Sequence, residues 1–144
     1  MTHLKLARQM MAMTLVFLLL VGCSAPAAKP SPPKPGATLT GTIVMDRAKS
    51  AQITLKISDD GQAIEWVSAA FTELKCEGFS AGSTSTKVTG RAPITDGKFE
   101  FKSSSIGEIS GQFTSPTAAE GAAHLVFVNG KAECGTWKWG ATGN

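Results

Sequence analysis

The sequence predicts an all-β domain, either an antiparallel β-sandwich of jelly-roll-like form with seven or eight short strands or, as the alternative, a small β-barrel. Three observations carry this. Several segments alternate apolar and polar residues with period two. Asp-Gly and Asn-Gly pairs, which supply the positive φ angles of tight hairpins, fall between those segments. No window keeps an amphipathic helical stripe.

The chain has 144 residues. Its N-terminus reads as a secretory signal: Lys5 and Arg8 form a basic region, residues 10–21 are apolar, and small residues follow. A bilayer needs about 20 apolar residues, so this run is too short for a transmembrane helix. It ends in Leu20-Val21-Gly22-Cys23, which resembles the lipobox of bacterial lipoproteins. The resemblance implies cleavage before Cys23, a diacylglycerol on its sulfur, and a protein held by lipid on the extracytoplasmic face of the cell membrane or outer membrane. Acyl chains contribute about 0.8 kcal/mol per buried methylene, and several chains make a lasting anchor. Ser24 at the next position implies sorting to the outer membrane where there are two membranes. The expected division is a lipoprotein signal peptide at 1–22, lipidated Cys23 and a proline-rich tether to residue 37, and one β domain over 38–144.

The tether contains Pro26, Pro30, Pro32, Pro33 and Pro35 with interleaved Ala, Ser and Lys. That composition favours an extended, solvated polyproline II spacer. Charge divides along the same boundary. The net +3 comes from Lys5, Arg8, Lys29 and Lys34, whereas from Ala37 onward ten Lys plus Arg face eleven Asp plus Glu. A near-neutral domain lacks the basic stripe that nucleic-acid binding requires, so no nucleic-acid partner is expected.

Within the domain, Gln52-Ile53-Thr54-Leu55-Lys56-Ile57-Ser58 alternates without error and turns at Asp60-Gly61. Residues 64–76 change phase, from Ile64 and Trp66 to Val67, Ala69 and Phe71 and then to Leu74 and Cys76. A long strand with bulges accounts for that. Residues 75–90 are rich in Gly, Ser and Thr and read as a wide loop leading to a short edge strand near Lys87, Val88 and Thr89. Lys98-Phe99-Glu100-Phe101-Lys102, after the Asp96-Gly97 turn, and Ile109-Ser110-Gly111-Gln112-Phe113-Thr114 alternate again. Ser115-Pro116-Thr117-Ala118-Ala119-Glu120-Gly121 carries capping residues for one helical turn at most. Ala123-His124-Leu125-Val126-Phe127, the Asn129-Gly130 turn and Cys134-Gly135-Thr136-Trp137-Lys138-Trp139 complete the pattern. This C-terminal half resembles a recurrent module of secreted and anchored bacterial proteins. The resemblance implies the fold and no particular role.

With Cys23 taken by lipid in an oxidising compartment, Cys76 and Cys134 are expected to form a disulfide. The bridge should stabilise the domain by about 4 kcal/mol in the chain-entropy account. No metal or cofactor is expected: the cysteines lack C-x-x-C spacing, and only His124 remains in the domain to complete a zinc site.

The enzymatic alternative is a small serine hydrolase centred on Ser80. Gly78-Phe79-Ser80-Ala81-Gly82 matches the G-x-S-x-G elbow, and Asp96 and His124 follow in hydrolase order. The elbow works between a strand and a helix, and the polar, β-branched residues after Ser80 supply no helix. Glu65, Glu73, Glu100 and Glu108 read as solvated-face carboxylates. Asp59-Asp60-Gly61 reads as a turn, because it lacks the alternating ligands of a calcium loop. His124 is out of phase with Leu125 and Phe127, so it should face solvent or a hydrogen-bond partner.

The aromatic residues are the positive lead. Trp137 is expected in the core, and Trp139 and Trp66 are the candidate platforms on which a sugar ring or partner surface would stack. The expectation is a lipid-anchored cell-envelope protein without catalytic activity. Its role is binding or structural, its attachment the membrane, and its ligand polysaccharide or an envelope protein.

Overall fold

The computed structural model describes residues 30–144. The expected signal peptide, Cys23 and the tether up to residue 29 lie outside the described residues. Eight strands follow: β1 (Thr38–Val44), β2 (Ser50–Ile57), β3 (Ala63–Cys76), β4 (Phe79–Pro93), β5 (Lys98–Ser103), β6 (Gly107–Ser115), β7 (Ala118–Phe127) and β8 (Ala132–Thr142). They form one antiparallel sheet in the order β4-β3-β2-β1-β8-β7-β6-β5. Each strand is therefore the neighbour of the next in sequence, except between β4 and β5, and β1 pairs with β8. The sheet rolls into a nearly closed ring with its seam between β4 and β5, where one bridge joins Thr95 to Lys98.

Local chemistry explains the turns. Asp96 (φ 51°) and Gly97 (φ 71°) both take left-handed conformations, as a tight hairpin requires. Asn129 (φ 54°) and Gly130 (φ 86°) do the same between β7 and β8. Both phase changes foreseen in β3 have a structural cause. Against β2 the register shifts between Lys56 and Ile57, leaving Glu65 as the extra residue, and against β4 it shifts between Ile64 and Trp66; beyond these shifts Trp66 turns outward. Farther along, Glu73 at φ 52° separates outward Thr72 from buried Leu74.

Two segments depart from expectation. Residues 79–93, expected mostly as a wide loop, form a fifteen-residue strand. Its serines and threonines are β-compatible, and pairing with β3 overrides their looplike composition. Residues 115–121 make no helical turn: a turn ends at Thr117 and β7 begins at Ala118.

Strong bending of a sheet needs places where strands approach closely, and glycine provides them. A Cβ on Gly41 of β1 would stand 1.8 Å from the Gly140 carbonyl oxygen, and one on Gly121 of β7 would stand 2.0 Å from that of Ser110. Inside, Leu39, Ile53, Leu55, Ile109, Phe113 and Leu125 are fully buried, so side chains fill the ring.

The two ends of the ring are closed differently. At one, Cys76 and Cys134 form the expected disulfide, with Cα atoms 4.8 Å apart. β3 and β8 have β2 and β1 between them in the sheet, so the bridge spans the mouth of the ring. Phe127 packs there between Phe71 and Phe79, with ring centroids 5.4 and 5.9 Å away. At the other end, residues 30–37 are a strap, where a solvated spacer was expected. The Ser31 N–H donates to the Phe113 carbonyl (3.0 Å), that of Lys34 to Pro116 (2.7 Å) and that of Gly36 to Ser58 (2.9 Å). Pro30 and Pro35 sit against Gly97 and Gly61, where a side chain would collide or crowd. Proline-rich chain is extended whether solvated or docked, which is why composition does not reveal the strap.

Candidate functional site

The bulge at Glu65 places Trp66 on the outer surface of the β2-β3-β4 sheet. Register then fixes its neighbours in four rows across these strands. The first is Lys56, Trp66 and Thr89; the second Thr54, Ser68 and Lys87; the third Gln52, Ala70 and Ser85; the fourth Ser50, Thr72 and Ser83. Trp66 is half-buried, and the Lys87 ammonium lies 4.0 Å from the centroid of its indole. Such a cation–π contact contributes about 0.5–1 kcal/mol at an exposed site. Among the described residues Lys87 pairs with no carboxylate.

The third and fourth rows line a groove of about 380 Å³ bounded by Ser50, Gln52, Thr72, Ser83, Thr84 and Ser85. The Ser50 hydroxyl donates to Thr72 Oγ1 at 3.0 Å. The surface thus offers hydroxyls and an amide over a small-residue floor, with an aromatic ring and an ammonium at one end. Such groups hydrogen-bond polyhydroxylated ligands in either sense, since each hydroxyl both donates and accepts.

Trp139, expected as an exposed platform, is buried at 3% exposure. Its indole N–H donates to the Ser110 carbonyl at 3.1 Å, and its ring packs near Phe99 on the inner side of the sheet. The reason is topological: β8 lies between β1 and β7, so nearness to the C-terminus does not expose it. Trp137 is the less buried of the pair, with its N–H donating to the Cys134 carbonyl at 2.7 Å. A larger groove, about 690 Å³, runs over the outer side of β6-β7-β8, where Gly111, Gly121, Gly140 and Ala122 leave a shallow floor between Lys98, Glu120 and Lys138. Size alone does not make it the better site. Trp139 lines this groove from beneath, its ring within 2.5 Å of where a Cβ on Gly111 would stand, but at 3% exposure it offers almost no face for stacking, whereas Trp66 stands outward.

The serine-hydrolase constellation is not assembled. Ser80 opens β4 at the disulfide end, Asp96 lies in the turn beyond the other end of that strand, and His124 is on β7. His124 Nδ1 is 3.1 Å from Thr136 Oγ1, and Glu133 lies 4.0 Å from Nε2. His124 is half-buried and points away from Leu125 and Phe127, as its phase predicts. Lys102 bridges Glu100 and Glu108 on the β5-β6 surface; hydrogen bonds from Lys102 hold the Glu100 carboxyl below its usual range.

Asp60 is structural. The buried Ser58 hydroxyl donates to Asp60 Oδ1 and accepts the Ala63 N–H at 3.0 Å, while the Gln62 N–H (2.9 Å) and Arg91 (2.8 Å) complete the carboxylate's partners. The Ser58 bond first, then those from Gln62 and Arg91, hold its carboxyl far below the usual range. Among the described residues no group of three or more His, Cys, Asp or Glu is placed to hold a metal, and no helix is long and apolar enough to cross a membrane.

Set beside protein-family models, curated proteins and solved structures, the chain matches none. Its class is therefore stated by its own geometry: among the described residues, an eight-stranded, all-antiparallel, nearly closed sheet with one disulfide.

Proposed function

We propose that this chain is a lipid-anchored envelope protein, attached through Cys23, whose β2-β3-β4 surface binds an extended glycan without catalysing its turnover. The observation that carries the reading is the alignment of the hydroxyl-lined groove with outward Trp66 and Lys87. A sugar ring stacks on the indole and the following residues of the polymer lie along the serines and threonines. The non-catalytic reading is supported by the separation of Ser80, Asp96 and His124.

The strap refines the attachment. Pro30 is the first described residue and already lies in the strap, and the seven steps of chain from Cys23 to Pro30 can reach no more than about 25 Å. The strap end then faces the membrane and the disulfide end points away, which lays the β2-β3-β4 groove along the direction leading off the membrane.

The test is co-sedimentation of the full-length chain in detergent with insoluble envelope polysaccharides, together with tryptophan fluorescence during titration with soluble fragments. Saturable binding, a spectral shift, and an affinity about tenfold weaker in Trp66→Ala are expected. Binding untouched by Trp66→Ala, or no binding to any glycan, overturns the reading.

A further inference from the structure

The two edges of the sheet are unlike. β5 is six residues long, and Lys98, Glu100 and Lys102 take every outward position along its first five. Short length and charge are the ordinary protections of a sheet edge. β4 is fifteen residues long. The turn between Thr95 and Lys98 brings β5 back beside the last part of β4, and Phe101 reaches Gly90, 3.3 Å from where its Cβ would be. β5 ends at Ser103. Among the described residues, then, 79–86 of β4 have β3 on one side and no strand on the other. They contain no charge and no proline, and nothing stands within 4 Å of the Cβ position of Gly82. The protections resume only with Lys87, Arg91 and Pro93.

We infer that residues 79–86 of β4 are the interface of a homodimer, in which two copies pair their β4 edges antiparallel across a two-fold axis. The occupant follows from the edge itself. Edges that select foreign peptides use pockets for alternate side chains along the free edge, whereas the recesses that Ala81, Gly82 and Ser83 line lie on the β3 side of β4, with no lining residue beyond its free edge. What such an edge accepts is a strand equally small and uncharged, and this segment meets that requirement. Pairing centred anywhere from Gly82 to Thr84 sets Lys87 opposite residues 77–81, so it never faces its own copy. Each of these centres sets at least one hydroxyl pair face to face, Ser80 with Thr84, Ser80 with Thr86 or Ser83 with Ser85, which is favourable across antiparallel strands. A two-fold pairing of like edges closes on itself, and the short, charged β5 edge blocks growth into a filament. In the dimer the two hydroxyl grooves, which share β4, lie side by side across the axis. The dimer does not depend on the glycan reading.

The test is sedimentation equilibrium of the full-length chain in density-matched detergent without glycan, over a range of protein concentrations. A reversible monomer–dimer equilibrium is expected. Ser80→Lys with Gly82→Lys places repelling cations along the paired edge at exposed positions outside the hydroxyl groove. It should weaken dimerisation by at least about tenfold, since the four added cations face one another when the pairing is centred on Gly82 and crowd Lys87 of the other copy when it is centred on Ser83 or Thr84, and like charges brought together across an interface are strongly unfavourable. An unchanged melting temperature at low concentration establishes that the variant is folded. Hydrogen exchange of the unsubstituted chain supplies an independent reading: amides of residues 79–86 become slower as dimer forms. A chain monomeric at every concentration, a dimer indifferent to the two lysines, or a dimer without added protection in β4 overturns the inference.

Discussion

Asp60 shows how one side chain is tied to a turn. Its hydrogen bonds from Ser58, Gln62 and Arg91 exist with the carboxylate charged, so its carboxyl in the folded chain lies below the ordinary value of 3.8. A group whose folded pKa is lowered contributes stability above its unfolded pKa and loses it as pH falls. The expected outcome is a melting temperature that drops on acidification through about pH 4 and below. In Asp60→Asn the neutral-pH melting temperature is lower and this acid limb is shallower; an identical limb in a pH series of melting curves would refute the assignment. The sequence marked Asp60-Gly61 as a turn, and it is one. Arg91 as its partner was illegible, because the pair is 31 residues apart and meets through the β3-β4 pairing. Trp66 and Trp139 divide similarly. Their two-residue phase showed that each has an inward or outward sense, whereas which sense is outward depended on a bulge for Trp66 and on a central strand for Trp139.

At the scale of elements, alternation identified β2, β5 and β6, and broken alternation identified β3 with both of its irregularities. β4 was misread because Gly, Ser and Thr compose loops and polar strands alike, and what makes it a strand is the ladder it forms with β3. Curvature is likewise an element property, carried by close backbone approach. Gly41→Ala must displace the Gly140 carbonyl or bend β1 away. Overpacking of this kind costs about 1–3 kcal/mol. Gly82→Ala, with open space at its Cβ position, is expected to leave stability within about 0.5 kcal/mol. Denaturant titration of the two variants checks the contrast, and equal effects would show that β1 and β8 are not held so closely.

At the scale of the whole molecule, the ring is held at one end by the strap and at the other by the disulfide. The bridge between Cys76 and Cys134 encloses a sequence separation of 58 residues, and its removal is expected to cost up to about 4 kcal/mol. Cys76→Ser with Cys134→Ser should therefore unfold at much lower denaturant, with little change in the far-ultraviolet spectrum of the folded state. Unchanged stability would mean that the Phe71, Phe79 and Phe127 cluster secures that end by itself. The molecular scale also sets which surface is offered to ligands. With the interior filled and both ends closed, the surface left for the proposed glycan is the outside of the sheet, where the hydroxyl groove and Trp66 lie.

By itself the sequence determined the all-β class, the alternating strands, the hairpin turns and the pairing of the two domain cysteines. All of these rest on local conformational preference or on there being a single pair to join. Tertiary structure alone decided that the sheet is one nearly closed ring, that the proline-rich segment is partly a strap, that residues 79–93 form a strand, and that Trp66 faces outward while Trp139 is buried. Each of these depends on which distant strand lies alongside. Strand pairing joins residues far apart in the chain through backbone groups that every residue carries, so it leaves little trace in the identity of the side chains.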